Sequence, residues 1–408
     1  MNKKRWTMGS CIIFLSLLFA VGTVVAGPSP IKIGALFICS GKVGGYGKHA
    51  EQAIKLAVDE INAGGGILGR PLTATVKDTR LKKDVMLEIA EKFVNEDKVD
   101  FLMGPTSSGL AMALTQFARE NKKILIATQA AADALTGAKL HPYIFSTLSN
   151  AMMHSRSGAY LLASKPYKRY MCIGPDYSYG HSSWEMFKTK LKELRPDVEI
   201  VGELFPKFLA DDYSAYIKQI QEAKPEVVWS PLWGGDAVTF IKQALPTGLF
   251  KQVKFAFPCA GALEVLVPMG KDMPEGVYVS SRYFFPTPDS SLNRNFVKAY
   301  QERYKEYPDY MAGETYAGVY FIKAAVERAG TTDAEAIIKA VDREPLAWET
   351  PEGWKVMRPA DHSVVEDCVW GETTYNEKYG FSIPKNFEAV QGAEICRTDD
   401  ELKQITGR

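Results

Sequence analysis

The sequence predicts an α/β protein of two doubly wound parallel-sheet lobes, and three observations predict it. Short apolar strands alternate with helix-patterned segments from residue 31 onward. The alternation breaks at residues 146–150 and then restarts. Setting aside a 26-residue leader, 382 of the 408 residues remain, more than the roughly 250–300 at which a single core stops growing.

The leader comes first. Lys3, Lys4 and Arg5 precede an apolar run over residues 11–21, and Val24-Val25-Ala26 supply small residues before a cut at Gly27. The run is short for a membrane span, which needs about 20 residues, and Cys11 stands at its start instead of after it, where a lipid-anchored cysteine would stand. A cleaved signal peptide and a periplasmic mature protein are the expectation.

The βαβ pattern then opens. Residues 31–37 form a buried strand, and Ser40-Gly41-Lys42-Val43-Gly44-Gly45-Tyr46-Gly47 a small-residue loop. Ala50, Ala53, Ile54, Ala57, Val58 and Ile61 follow at the spacing of a helix packed on a sheet. Gly64-Gly65-Gly66 ends that helix, because glycine adopts left-handed geometry without penalty. A strand over 72–77, a helix capped by Asp84, strands over 99–103 and 124–127 and a helix carrying Ala111, Leu114 and Ala118 continue the pattern, with one more strand over 143–146. In the second run, strands at 170–174, 199–204, 227–230, 255–257 and 277–280 enclose helices at 184–194, 213–223 and 237–245, with Ser182 or Ser183 capping the first of these. Helices over 293–306 and 314–329 follow, and the aromatic tail holds strands at 354–358 and 364–370.

Composition narrows the function classes. The mature chain carries 46 basic against 48 acidic side chains, so nothing favours nucleic acid or an anionic membrane surface. Five cysteines remain, an odd and low count, so disulfides are not the framework; Cys368 and Cys396 lie close enough in sequence to pair. His49, His141, His154, His181 and His362 fall at no metal-binding spacing. No G-x-S-x-G elbow is present. The loop from Gly41 to Gly47 departs from the G-x-G-x-x-G dinucleotide pattern. The chain is read as a non-enzyme needing no cofactor and no metal.

Three motifs carry a resemblance: the loop with Ser40-Gly41 and Tyr46-Gly47 and its Ile61-Asn62-Ala63 helix end, Gly104-Pro105-Thr106-Ser107-Ser108-Gly109, and Asp176-Tyr177-Ser178-Tyr179-Gly180. In this order, across residues 31–330, they resemble the leucine/isoleucine/valine-binding family of type I periplasmic binding proteins. The resemblance implies two lobes joined by three hinge crossings: a first lobe of residues 27–148 and 283–340, and a second of 149–282 and 341–408. It implies capture of a small carboxylate in the interlobe cleft by a monomer that serves the membrane permease of an ABC importer, with no nucleic acid partner. A ligand-sensing receptor module without a transport role is the alternative; a secreted α/β enzyme is the third reading.

Carried over residue by residue, the resemblance places Ser108, with Ser107 beside it, on the ligand carboxylate. Gln129, Ala130 and Ala131 lie in the loop after the fourth strand, Ala131 standing where the family has a threonine. Tyr46, Tyr179 and Trp233 wall the cleft. Cys259 stands near the acidic residue that neutralises an amino acid's ammonium. A buried ammonium without a counter-charge is costly, so an amine-free carboxylate fits unless Asp236, Glu264 or Glu314 substitutes.

Overall fold

The structure, a computed structural model, describes Met1 and residues 27–406; the expected leader lies outside the described residues. The first sheet is wholly parallel. Its strands β1 (Ile31–Phe37), β2 (Leu72–Asp78), β3 (Phe101–Met103), β4 (Ile124–Ala127) and β5 (Ile144–Ser146) lie in the order β2-β1-β3-β4-β5. Helices α1 (Gly45–Ala63), α2 (Lys83–Asn95) and α3 (Ser108–Glu120) connect them. β1 and β3 are buried almost throughout, as strands covered on both faces must be.

The second sheet repeats this winding. After α4 (Ala151–Ala163), strands β6 (Arg169–Ile173), β7 (Glu199–Leu204), β8 (Val227–Trp229), β9 (Lys254–Phe257) and β10 (Tyr278–Ser280) lie in the order β7-β6-β8-β9-β10, all parallel. Helices α5 (Ser178–Leu194), α6 (Ser214–Ala223), α7 (Gly234–Ala244), α8 (Leu249–Gln252) and α9 (Leu263–Met269) connect them. The chain then returns to the first lobe through α10 (Ser291–Tyr304), α11 (Tyr310–Ala329) and α12 (Ala334–Arg343). Tyr300 and Tyr304 of α10 donate to the side chain and carbonyl of Gln52 on α1, at 2.6 and 2.9 Å.

A small antiparallel sheet, β11 (Leu346–Thr350), β12 (Gly353–Met357) and β13 (Val364–Val365), packs on α11, where Trp348 donates to the Ala317 carbonyl at 3.1 Å. β14 (Cys368–Asn376) and β15 (Phe381–Val390) then add an antiparallel hairpin to the second sheet beside β10. Two short helices, α13 (Gly392–Ile395) and α14 (Asp399–Thr406), close the described chain. It thus crosses between lobes at residues 147–150, 281–290 and 366–367.

Several sequence expectations are corrected. Asp84 lies inside α2, whose N-cap is Lys82. Ser182 and Ser183 lie inside α5, which begins at Ser178 after Tyr177; Ser183 instead accepts from the Trp229 indole at 3.2 Å. Tyr46 belongs to the first turn of α1, not to the loop. The single tail strand expected over 364–370 is split between β13 and β14. Cys368 and Cys396 are free thiols, both buried with Met152, Met153 and Ile395. α4 and α12 carried no expectation. Asn150 caps α4 by accepting from the Met153 amide at 3.0 Å. α4 is buried on nearly every side, so its sequence lacks the one-sided stripe that identifies a surface helix.

The three crossings meet at a buried charge cluster. Lys355 on β12 pairs with Glu352 and Glu366 and donates to the Thr147 carbonyl of the first crossing at 3.1 Å. Glu366, at the third crossing, accepts from the Ser149 amide of the first. Arg282, on the second crossing, pairs with Glu314 of α11 at 2.9 Å. Glu352 reaches the same helix: a Cβ on Gly313 would come within 2.8 Å of it. Three carboxyls therefore face two cations, all nearly fully buried. A buried charge without a partner costs several kcal/mol, so the excess carboxyl holds a proton. Burial, opposed by Lys355 and reinforced by Glu366, pushes Glu352 from 4.5 up to about 7.

A carboxyl whose folded pKa is raised contributes stability that is complete below its unfolded pKa and is lost as pH rises through the folded value. Glu352→Gln removes that titration. His154, which burial and the nearby Arg282 and Lys355 lower to about 3, titrates in both proteins and cancels in the comparison. The unfolding free energy of wild type minus that of E352Q is expected to fall between pH 4.5 and 7, by up to about 1.4 kcal/mol per pH unit. Urea titrations across that range check it; a flat difference contradicts the shared proton.

Candidate functional site

In a sheet wound β2-β1-β3, connections leave β1 and β3 in opposite directions and open a crevice at their carboxyl ends, where open α/β sheets bind ligands. This protein has two such switch points, one between β1 and β3 and the other between β6 and β8. They face each other across a cavity of about 170 Å³. Ile38, Val43 and Tyr46, after β1, line it from the first lobe, with Thr106, Ser107 and Ser108 after β3 and Gln129 and Ala131 after β4. Tyr177 and Tyr179 after β6, Trp233 after β8 and Cys259 after β9 line it from the second.

Local structure fixes each loop. Gly104 adopts φ +109°, and a Cβ there would lie 2.2 Å from the Leu36 carbonyl oxygen, so only glycine lets the β3 turn pack on β1. Thr106 ties the same turn to the β1 loop by accepting from the Ile38 amide at 3.3 Å. Helices α1, α3, α5 and α7 all start at this cavity, at N-caps Gly44, Ser107, Tyr177 and Trp233, and none has a side-chain capping bond. Their first-turn N–H groups and dipoles direct positive potential to one place, which favours an anion.

The walls are aromatic. Tyr46 meets Trp233 edge-on across the cleft with ring centroids 5.2 Å apart at 84°, and Phe208 stacks on Trp233 at 5.2 Å. Trp233 donates its indole N–H to the Tyr177 hydroxyl at 2.9 Å. Tyr179 and Cys259 are joined at 3.1 Å. Burial raises the pKa of both, with Arg282 opposing at Cys259, so each stays neutral near pH 7.

Among the described residues, no carboxylate lines the cavity. Asp236 accepts from the Leu209 amide at 3.1 Å and the Tyr213 hydroxyl at 2.9 Å. Glu314 holds Arg282 at 2.9 Å. Glu264 packs behind Tyr46, where burial first and then Asp309 raise its pKa well above the usual carboxylate range. Its backbone amide donates to Asp309, the N-cap of α11, at 3.1 Å, which is a direct bond between the lobes.

The cavity gathers Tyr46, Ser107, Ser108, Gln129, Ala131, Tyr179, Trp233 and Cys259. Ala130 is absent from the wall; it is buried in the apolar cluster with Leu135 and Ala127. Arg282 and Tyr310 line the cavity without having been expected there, as do Tyr177 and Phe208. Tyr177 lies within a motif already singled out. Arg282 and Tyr310 come from the second crossing and the start of α11, not from strand-end loops, and no loop motif marks them.

The family model described as periplasmic binding protein matches residues 30–375. The chain is 26% identical over 350 residues to Leu/Ile/Val-binding protein homolog 7 of Brucella suis biovar 1 (strain 1330), covering 80% of this chain and 86% of that one. It superposes with TM-score 0.79 and 23% identity on a solute-binding protein of an ABC transporter from Rhodopseudomonas palustris BisB5 in complex with 3,4-dihydroxybenzoic acid, over 89% of this chain and 98% of the other. Another solute-binding protein from R. palustris, in complex with benzoate, gives TM-score 0.76 and 23% identity over 91% of this chain and all of the other. At these identities the structural likeness shows the fold.

Proposed function

The chain belongs to the periplasmic binding protein family, and from that premise we propose that it captures an amine-free, aromatic carboxylate between its lobes for delivery to a membrane permease. Its family and fold are those of extracytoplasmic, non-enzymatic proteins that bind small molecules for ABC transporters, and no helix of the described residues is long and apolar enough to cross a membrane. The leader fits export to the periplasm.

The charge pattern of the cavity carries the reading of the ligand. Among the described residues, four helix N-termini and one guanidinium border it, and no carboxylate does. An α-amino acid would bring its ammonium into that surface with Cys259 in place of a counter-charge. The effective cost of burying an unpaired ion is several kcal/mol. A carboxylate alone meets only favourable partners, and Ser107 and Ser108 at the start of α3 are the donors proposed for it. A cavity of about 170 Å³ compares with the roughly 150 Å³ that holds one benzene ring, and Tyr46, Trp233 and Phe208 provide flat walls. Aromatic contacts of this kind are worth about 0.5–1.5 kcal/mol each beyond area. The benzoate-type ligands of the two R. palustris proteins support the same class; the Leu/Ile/Val-binding relative favours the amino acid reading.

Calorimetric titration separates the two. Benzoate-type acids are expected to bind at micromolar concentration, with leucine, isoleucine and valine absent or far weaker. Tight binding of a branched-chain amino acid, with no response to the acids, would overturn the proposal.

Ser108 gives a second test. Ser108→Ala is expected to weaken acid binding by about 1–3 kcal/mol, the cost of leaving a buried polar partner unmet. Thermal stability should change by less, because Ser108 caps nothing. An unchanged Kd removes its hydroxyl from the site.

A further inference from the structure

We propose that Arg282 is the specificity-determining residue of this site: its guanidinium contacts the ligand carboxylate directly and selects anions over neutral and amine-bearing analogues. The inference rests on the carboxylate reading above and adds to it a residue outside the strand-end loops.

Arg282 lies on the second crossing, with its side chain 8% exposed, yet it lines the cavity. Its guanidinium lies 4.7 Å over the Tyr310 ring, and one Nη donates to the Gln129 carbonyl at a long 3.4 Å. Tyr310 and Gln129 are both cavity-lining residues, as are Cys259 and Tyr179, whose titration it influences. The ion pair with Glu314 engages Nε at 2.9 Å. A guanidinium has five N–H donors in a fixed fork. One ion pair at Nε and one long bond at Nη leave donors on the guanidinium for a carboxylate, which that fork matches in a bidentate way.

The charge is secure. Burial is the largest influence and opposes it, but Glu314 together with Tyr310, Cys259 and Tyr179 offsets burial and holds the pKa above the ordinary arginine value. Glu314 is at the same time fully buried and occupied by the arginine, so it offers nothing to a ligand ammonium. The cation also stands on the Cys259 side of the cavity, where an amino acid's ammonium would need an acid. One residue therefore accounts for attraction to a carboxylate and repulsion of an amine.

The test is calorimetric titration of wild type, R282K and the double variant R282Q/E314Q with benzoate and with its neutral isostere benzamide. Removing both charges together avoids a buried unpaired glutamate, and circular dichroism with thermal melting verifies the fold. Wild type is expected to prefer benzoate over benzamide by at least about 100-fold. R282Q/E314Q should lose roughly that preference, with benzamide affinity within about threefold of wild type. R282K, which keeps the charge without the fork, should fall between them.

Equal losses for benzoate and benzamide would show that Arg282 only supports the cavity wall, and unchanged benzoate binding would remove it from the site; either result overturns this proposal alone. Wild type that binds leucine and not benzoate overturns the carboxylate reading and this inference with it.

Discussion

Lys355 is buried to 1% exposure between Glu352 and Glu366, and it holds the three interlobe crossings together. Its donation to Thr147 and the acceptance of the Ser149 amide by Glu366 join the first crossing to the third. Glu352 reaches α11 beside Glu314, and Glu314 holds Arg282 of the second crossing. Removing one partner of such a cluster strands a charge, at about 3–5 kcal/mol. The network therefore forms as a unit, and the crossings keep a common position. Arg282 is at once part of this network and part of the cavity wall, so the network extends to the cleft.

The repeated winding explains why the site lies where it does. Each sheet has its switch point between its first and third strands, and each sends two helices away from the cleft with their N-termini at it. Two lobes so placed create a positive space with no exposed basic side chain among the described residues that line it. Contacts between the lobes, such as Tyr46 against Trp233 and Glu264 bonded to Asp309, complete the enclosure only when the lobes are together.

Most of this was legible in the sequence where a local signal existed. The strand–glycine loop–helix unit at residues 31–78 and the Thr106-Ser107-Ser108 turn predicted elements and cavity residues alike, because glycine spacing and helix periodicity are short-range properties. Of the tail strands, β14 was legible only in part and β15 not at all: strand pairing is set by the partner, and that of β14 lies about 90 residues upstream on β10, while β15 pairs with β14. α4 was hidden by burial on nearly all sides. Arg282 was hidden for a different reason. Its partners come from two distant segments, Gln129 after β4 and Tyr310 with Glu314 on α11, and no spacing in the chain foretells that they meet. Cys259 shows the opposite case: one residue, read against a family pattern, pointed to the missing counter-charge.

Small-angle X-ray scattering of the mature protein, titrated with benzoate to saturation, tests the central claim most directly. Hinged closure of two rigid lobes on a carboxylate predicts a radius of gyration that falls as the site fills and levels off at saturation. A radius that stays constant while calorimetry shows the site occupied would contradict it.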